Sequence, residues 1–426
     1  MRILHTSDWH LGVEYFQRTR SVEQAAFLEW LLATIEEKQV DTLVVAGDVF
    51  DSANPPAEAL QLYYSFIARL TGAERATVAI VVGGNHDSPS RLDAPREVLT
   101  ALRAHVVGGY DAGRLDAARA EPGGMLIPVH DAAGHVHVVV AAVPYLHDWR
   151  LGVRGFDGSA DEQRQSLHEA FKGVYSRLAD KAAKEWPGLP LLATGHLTCL
   201  ARAGDMTSAE DAIPVDINRV GTLGAMGPGV FDERFGYVAL GHIHRGFTVD
   251  PERRVWYSGT PLQVGADERW DARRVLLVDV DERGVAVTSL PVPTTRRLLR
   301  LRGPADEVRQ ELAKIEWGAA ELPPYVVVEA TVAELDPGLR ETLRGLAPEG
   351  PGGAATIVDV RTLLQRGAGT EGGSLQDRLP PGDSVTPEQA FLFAWQMKHG
   401  EQSLPGAAVM QRFRSLLESP GAVDQV

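Results

Sequence analysis

The chain opens with Met1-Arg2-Ile3-Leu4-His5-Thr6-Ser7-Asp8-Trp9-His10, an apolar run that leads directly into an Asp-x-His motif. Four more motifs follow apolar runs in the same way. They are Gly47-Asp48-Val49-Phe50-Asp51, Gly84-Asn85-His86-Asp87, Gly195-His196 and Gly241-His242-Ile243-His244. The runs are rich in Val, Ile and Leu and predict short buried strands, and open α/β sheets bind ligands beyond the carboxyl ends of their strands. We therefore expect all five motifs at one sheet edge.

The side chains of these motifs are the kinds that bind transition metals. Carboxylates, imidazoles and an amide together suit manganese, iron or zinc better than calcium. Two such cations about 3.5 to 4 Å apart can activate a water and neutralise the oxygens of an in-line displacement at phosphorus. The ordered set of five motifs therefore predicts a two-metal phosphoesterase site.

A sixth stretch, Gly134-His135-Val136-His137, has the same pattern as Gly241-His242-Ile243-His244. Its histidines precede the apolar run 138–143, whereas the histidines of the other motif follow their run. We therefore predict that they begin a strand, lie at the wrong edge of the sheet and bind no metal. His5 lies inside the first predicted strand and is expected in the core.

Composition favours an enzyme that works inside the cell. The 426 residues allow two or three domains, and a single cysteine excludes an internal disulfide. No signal sequence or apolar stretch of membrane-spanning length is visible, so we expect a soluble cytoplasmic protein. The net charge of −15 argues against DNA binding over the whole surface. DNA contact would have to be local or shared with a partner.

The chain resembles the SbcD family, which are nuclease subunits of bacterial SbcCD complexes within the calcineurin-like metallophosphoesterases. Three stretches carry the resemblance: residues 1–12, Asn85-His86-Asp87-Ser88-Pro89-Ser90-Arg91-Leu92 and Tyr257-Ser258-Gly259-Thr260-Pro261-Leu262-Gln263. It is most specific over residues 1–292. It implies an α/β fold, a calcineurin-like β-sandwich flanked by helices.

The resemblance also implies a ligand set for two divalent metal ions, with Mn²⁺ expected. The ligands of one cation would be Asp8, His10 and His244. The ligands of the other would be Asn85, His196 and His242. Asp48 would bridge the two cations. His86 would be catalytic and would stabilise or protonate the leaving oxygen, with Asp51 placed to orient it.

The remainder of the chain predicts three further parts. Residues 297–365 alternate strand and helix patterns and resemble the family's small α+β capping domain, which helps to position DNA. Residues 366–383 are rich in glycine, which predicts a linker. The pattern of residues 384–420 predicts two amphipathic helices. The metallophosphoesterase nuclease domain would thus span residues 1–292.

Partners follow from the apolar faces of predicted helices. The C-terminal helical segment carries Phe391, Leu392, Trp395, Phe413 and Leu416. Packing back on the same chain is one way to cover these side chains, but the resemblance favours binding to an SbcC-type ATPase. Apolar stripes on residues 27–35 and 60–70 are typical of core, and the resemblance also implies a homodimer there, within a heterotetramer. Ser21 with Gln24 predicts a capping box at the first of these helices.

The function we predict is that of a Mn²⁺-dependent DNA nuclease, a double-strand exonuclease and a single-strand and hairpin endonuclease that hydrolyses phosphodiesters with a metal-bridging hydroxide. It would process DNA ends and hairpins in repair and recombination. Local DNA contacts are expected from Arg18, Arg91 and Arg245. A phosphomonoesterase or cyclic-nucleotide phosphodiesterase on the same scaffold is the first alternative. The second is a binding module without catalysis.

Overall fold

The computed structural model describes residues 1–73, 77–111, 124–130, 134–152, 160–200, 226–252, 254–268, 273–316, 320–333, 338–350, 353–364 and short stretches between 391 and 413. The chain forms two compact units, Met1–Leu363 and Leu364–Val426. No helix among the described residues is both long and apolar enough to span a membrane.

Two six-stranded sheets form the centre of the first unit. The strands of the first sheet are β1 (Arg2–Thr6), β4 (Thr42–Ala46), β5 (Val78–Val82), β6 (Ala104–Val107), β13 (Arg274–Asp281) and β14 (Gly284–Pro291). Those of the second are β7 (Leu126–His130), β8 (Val136–Ala141), β9 (Leu191–His196), β10 (Phe235–Gly241), β11 (Phe247–Asp250) and β12 (Val255–Tyr257). A two-stranded ribbon, β2 (Glu14–Tyr15) and β3 (Arg18–Thr19), follows the first motif.

The strand order of the first sheet is β14-β13-β1-β4-β5-β6, and β1, β4, β5 and β6 run parallel. The strand order of the second sheet is β11-β12-β10-β9-β8-β7, with β8, β9, β10 and β12 parallel. Because the neighbouring strands are parallel, their carboxyl ends lie at one edge. This is the edge at which the sequence analysis expects the five motifs.

Alternating side chains give the two faces of the first sheet different partners. Ile3, Val44 and Ile80 pack with residues of the second sheet in one apolar core. Leu4 and Leu43 point to the other face and pack with helices. This period of two builds a sandwich with helices outside it, so the predicted fold class is confirmed.

The helices of the first unit cover these outer faces. They are α1 (Ser21–Glu37), α2 (Ala57–Gly72), α3 (Pro89–Asp93), α4 (Arg96–Ala101) and α5 (Ala160–Glu185). The predicted apolar stripes of α1 and α2 are core for the most part, since Phe27, Leu31 and Ile67 are buried. Leu32, Leu60 and Tyr64 lie at the margin of that core and are half-buried.

A smaller three-stranded sheet follows the sandwich within the first unit. Its strands are β15 (Arg296–Pro304), β16 (Leu322–Val332) and β19 (Thr356–Leu364), in the order β15-β16-β19. Helices α6 (Ala305–Leu312) and α7 (Leu339–Gly345) pack on it, and β17 (Glu349–Gly350) pairs with β18 (Gly353–Ala354). We call residues 296–364 the cap. The alternation of strand and helix follows the predicted pattern.

In the second unit the structure describes only a few residues near the chain end. Phe391, Leu392, Trp395 and Phe413 are helical. The rings of Phe391 and Phe413 stack with centroids 4.2 Å apart, and Trp395 lies 6.2 Å from Phe391. Leu416 and the predicted linker 366–383 lie outside the described residues. The two predicted helical stretches therefore contact each other through their aromatic side chains.

Candidate metal centre

The loops after β1 and β4 are joined by main-chain hydrogen bonds that continue beyond the strands. Asp8 N donates to Gly47 O at 2.9 Å, and His10 N donates to Asp48 O at 3.1 Å. These bonds keep two motifs side by side after regular pairing ends. The first sheet therefore delivers Asp8, His10 and Asp48 to one place.

Four of the seven predicted ligands adopt left-handed backbone conformations, with φ of 53° at Asp8, 46° at His10, 50° at Asp48 and 95° at His242. Asp and His tolerate this region better than most residues, yet it is uncommon and concentrates at functional sites. In each turn the left-handed residue therefore directs its polar side chain differently from a residue of a continued strand.

The glycines of the motifs are required by close approach to ligands. A Cβ at Gly84 would lie 2.1 Å from Asp48 Oδ1. A Cβ at Gly241 would lie 2.0 Å from Ala46 O, where the two sheets meet. Only glycine fits at these two points, so the Gly of each motif has a steric role beside the ligand.

One cluster of ligand atoms is formed by Asp8, His10 and His244, whose ligating atoms lie within 4.8 Å of one another. His10 Nε2 and His244 Nε2 face each other at 3.1 Å. Asp8 accepts a hydrogen bond from His242 N at 2.9 Å through Oδ1, which ties the first motif to the last.

A second cluster is formed around Asp48. His196 Nε2 lies 3.2 Å from Asp48 Oδ2 and 3.1 Å from Asn85 Oδ1. His242 Nδ1 lies 2.8 Å from the same Asn85 oxygen. Asp48 Oδ2 also lies 3.9 Å from His10 Nε2 in the first cluster. Asp48 is thus between the two clusters, where a bridging ligand would be.

The donor set fits divalent cations. His196 Nδ1 donates to Ala46 O at 2.8 Å, and His244 Nδ1 bonds Glu268 Oε1 at 2.7 Å. With the proton held at Nδ1, Nε2 of a neutral imidazole has a lone pair. These lone pairs converge with the oxygens of Asp48 and Asn85, an arrangement of acceptors that a cation satisfies.

Without metal, charge is balanced by protons. Burial lowers the pKa of His10, but the carboxylates of Asp51, Asp48 and Asp8 outweigh it and raise that pKa to about 9. Burial is likewise outweighed at His196, where Asp48 raises the pKa to about 9. Burial and the charge of His196 lower the pKa of His242 to about 3. A cation held here would displace protons from His10 and His196, so binding of metal would release protons.

Glu268, which the sequence analysis missed, holds His244 in place. It is buried, and it bonds His244 Nδ1 at 2.7 Å and Arg273 at 2.9 Å. Burial would raise the pKa of Glu268, but His244 and Arg273 outweigh burial and lower it. Such carboxylate–histidine pairs orient metal ligands. Glu268 lies shortly after residues 257–263, the third stretch that resembles the family. That position was the available sequence signal for Glu268, although no motif contains it.

The predicted capping box at Ser21 and Gln24 is wrong. Helix α1 begins at Ser21, but its first turn has no side-chain cap. The Gln24 amide instead donates to His10 O at 2.8 Å and accepts from Gly12 N at 3.1 Å. The glutamine is used to secure the left-handed turn at His10, which competes with capping.

Asp87 secures the two loops that carry Asp48 and Asn85. Its carboxylate accepts from Val49 N at 3.1 Å, Phe50 N at 2.9 Å and Gly84 N at 2.8 Å. Burial and the nearby charge of Asp48 raise the pKa of Asp87 to about 6. Asp87 therefore stabilises the main chain of the two loops and is not placed as a metal ligand.

His86 is exposed at the rim of the site, with its ring centroid 5.0 Å from that of His10. Its Nδ1 donates to the main-chain oxygen of Asp51 at 2.7 Å. The Asp51 carboxylate lies 3.2 Å from His10 Nδ1 instead. Asp51 thus contacts His86 through its carbonyl and His10 through its side chain, and the predicted orienting contact to His86 is made by the main chain of Asp51.

The predicted DNA-contact arginines have different surroundings. Arg91 on α3 is exposed and donates to Asn54 at 2.6 Å. Arg18 in β3 is exposed, with its guanidinium 5.8 Å from the ring centroid of Tyr325 in the cap. Arg245 is half-buried beside His244.

A group of rings near His196 and His242 was not predicted. Tyr145 lies 6.2 Å from His196 and 4.7 Å from His147, measured between ring centroids, and His147 lies 5.8 Å from Trp149. Trp149 is exposed. Tyr145 follows the apolar run 138–143, so the rule that selected the five motifs could have found it.

Comparison with known proteins agrees with this geometry. A family model described as calcineurin-like phosphoesterase matches residues 1–246. The chain is 37% identical to the SbcD subunit of nuclease SbcCD from Rhodobacter capsulatus over 307 residues, 71% of each chain. It is 33% identical to the Escherichia coli K12 protein of that name over 361 residues, 82% of this chain and 83% of that one. The chain therefore belongs to the calcineurin-like phosphoesterases and, within them, to the family of SbcD subunits of nuclease SbcCD.

Proposed function

We propose that this protein is a Mn²⁺-dependent DNA nuclease that hydrolyses phosphodiester bonds as an exonuclease and as an endonuclease on hairpins. The observation that carries the proposal is the convergence of imidazole nitrogens and carboxylate and amide oxygens from five strand ends, with exposed His86 beside them. The relatives are named as a subunit of a nuclease, which supports a nucleic-acid substrate and work within a complex.

Two divalent cations are proposed for the centre, with Asp48 between them. The first would be held by Asp8, His10 and His244, and the second by Asn85, His196 and His242. When bound, such a pair supplies an activated water and neutralises charge at the phosphate. Mn²⁺ suits the mixture of imidazole and oxygen ligands.

His86 is proposed to act on the leaving oxygen. Its Nδ1 carries a proton, because the Asp51 carbonyl can only accept. In the imidazolium form Nε2 carries a second proton, which it can donate to the leaving oxygen as that oxygen gains charge. The Asp51 carbonyl fixes the ring, and the Asp51 carboxylate supports His10.

DNA contact is proposed to be local, since the whole chain has a net charge of −15. Exposed Arg18 and Arg91 and half-buried Arg245 are the arginines proposed to contact phosphates. The Arg18 guanidinium lies 5.8 Å from the ring centroid of Tyr325 in the cap, which supports a DNA path that contacts both. The cap, residues 297–365 in our prediction, would help to position DNA.

We propose an SbcC-type ATPase as the partner, with docking through Phe391, Leu392, Trp395, Phe413 and Leu416 after a linker at 366–383. A homodimer within a heterotetramer would use half-buried Leu32, Leu60 and Tyr64. Helices α1 and α2 leave these side chains at the margin of the core. We expect the complex to work in the cytoplasm, where bacterial DNA is found.

The test is a nuclease assay on hairpin and duplex DNA with each divalent metal, with and without the ATPase partner and ATP. We expect Mn²⁺-dependent cleavage of both DNAs. Turnover of a small phosphate ester without cleavage of DNA would favour a phosphomonoesterase or cyclic-nucleotide phosphodiesterase. Absence of both activities in a metal-loaded complex would favour a binding module.

A further inference from the structure

The segment from Gln263 to Glu268 contacts both the metal centre and the cap. It begins where the third family stretch ends, at Gln263, and lies between β12 and β13. Its last residue bonds the metal-ligand candidate His244, and its first residue bonds the first strand of the cap. One short segment therefore makes both contacts.

At the metal end, both oxygens of Glu268 have partners. Oε1 bonds His244 Nδ1 at 2.7 Å. Oε2 accepts from Val264 N at 3.0 Å and from Arg273 at 2.9 Å. With the side chain only 8% exposed, these bonds restrict the carboxylate to one orientation. The His244 ring is consequently held with Nε2 towards His10.

At the cap end, the Gln263 amide pairs with the main chain of Leu298 as a strand would. Its Nε2 donates to Leu298 O at 2.9 Å, and its Oε1 accepts from Leu298 N at 2.9 Å. The same Nε2 lies 3.3 Å from Glu268 O. Leu298 and Ala266 belong to one small apolar cluster. The cap strand is thereby joined to the residue that holds His244.

The junction around these bonds is incompletely filled. A cavity of about 230 Å³ is lined by both the segment and residues 293–300. Its arginines are already engaged, since Arg296 lies 2.8 Å from Glu23 and Arg300 lies 2.6 Å from Asp267. The Gln263 bonds, the packing of Ala266 with Leu298 and the ion pair of Asp267 with Arg300 join the segment to the cap.

We propose that Glu268 is a positioning residue for His244 and that Gln263 couples the position of the cap to it, so that cap docking sets affinity for the cation near Asp8, His10 and His244. The proposal rests on the metal centre of the proposed function. In this proposal a displacement of β15 is passed on through the Gln263 amide to Glu268, and from there to the direction of His244 Nε2.

The experiment measures Mn²⁺ binding to the full chain by calorimetry, together with the electron paramagnetic resonance spectrum of the bound Mn²⁺ pair. We expect Glu268→Gln to weaken one of two Mn²⁺ sites by about 10- to 100-fold and to reduce the signal of the coupled pair. Glu268→Asp, which keeps the charge, should restore part of that affinity. Gln263→Ala should weaken the same site by about five-fold.

Asp267→Asn is the matched control. It removes an ion pair between the same segment and the cap, at an exposed side chain that does not contact His244. We expect wild-type Mn²⁺ affinity for it. Thermal unfolding in a chelator shows that each variant is folded before metal is added.

Wild-type affinity at both sites in Glu268→Gln would overturn the positioning role. A weakened site in Glu268→Gln with no change in Gln263→Ala would overturn the coupling. Equal losses in Asp267→Asn and Gln263→Ala would also overturn it, because any loosening of the cap would then suffice. A wild-type chain that binds no Mn²⁺ would contradict the proposed function itself.

Discussion

Gly241-His242-Ile243-His244 and Gly134-His135-Val136-His137 share one pattern but differ in their position along a strand and in the surroundings of their histidines. The first follows β10 and brings its histidines to the ligand clusters. The second runs into the start of β8, whose second residue is His137, and both of its histidines are exposed. Because β8, β9 and β10 are parallel, the two stretches lie at opposite edges of the same sheet. The position of a motif along its strand thus decides whether it can bind metal.

The comparison predicts very different costs for removing the histidines. Replacing His242 and His244 together with alanine should lower Mn²⁺-dependent DNA cleavage by at least about 1000-fold, because a two-metal site supplies several kcal/mol of transition-state stabilisation. Replacing His135 and His137 with alanine should leave cleavage within about two-fold of wild type. Cleavage rates of the two double variants on one hairpin substrate check this prediction, and comparable losses would refute it.

A second prediction separates histidines that hold metal from one that acts on substrate. His86→Ala should lower the cleavage rate by about 100- to 10,000-fold while Mn²⁺ content stays normal, because its Nδ1 contacts a carbonyl and its ring is exposed. Asp48→Asn should lower Mn²⁺ content itself. Metal analysis and single-turnover cleavage measure the two effects. Wild-type cleavage by His86→Ala would show that the assigned role is wrong.

The glycines of the two stretches provide the third prediction. Gly241→Ala should cost about 3 kcal/mol of unfolding free energy and weaken Mn²⁺ binding, since its Cβ would lie 2.0 Å from Ala46 O. Gly134 has φ of 86° in open space, so Gly134→Ala should cost only about 1 kcal/mol and leave metal binding unchanged. Chemical denaturation in a chelator gives both values. Similar costs for the two variants would contradict the close approach at Gly241.

A histidine inside a strand gives the smallest effect. His5 is fully buried, with Nδ1 2.8 Å from the Tyr237 hydroxyl, and burial lowers its pKa to about 3. A folded-state pKa below the unfolded value of about 6.5 means that stability is present above that value and is lost as pH falls. Between pH 7.5 and pH 5 this group should cost about 2 kcal/mol.

The variant that isolates this contribution is His5→Gln, which keeps a polar side chain without the titration. We expect its unfolding free energy to fall less than that of wild type over the same acid range, in a chelator. An identical pH dependence in both proteins would show that His5 does not titrate on unfolding.

The sequence predicted the parts of the site that repeat a local rule. Each ligand follows an apolar run, and parallel strands bring such positions to one edge, so the five motifs could be placed together although they are far apart in sequence. The grouping of Asp8 with His244 came from the family resemblance. The same rule excluded His135 and His137 as metal ligands, because they precede their apolar run. The sandwich was implied by the family resemblance and not by the pattern of the strands themselves.

What the sequence could not predict are contacts that depend on the paths of the turns between elements. Glu268 reaches His244 only because residues 263–268 fold back from β12, and no pattern marks that path. Gln24 matches a capping box, but the turn at His10 offers it better partners. Asp51 uses its main chain on His86, which depends on loop conformation and not on residue type.

The most direct test of the central claim is anomalous diffraction at the manganese edge from crystals of the chain grown with Mn²⁺. The account predicts two peaks on either side of Asp48, one beside His10 and His244 and the other beside Asn85 and His196. A single peak, or peaks at His135 and His137, would contradict it.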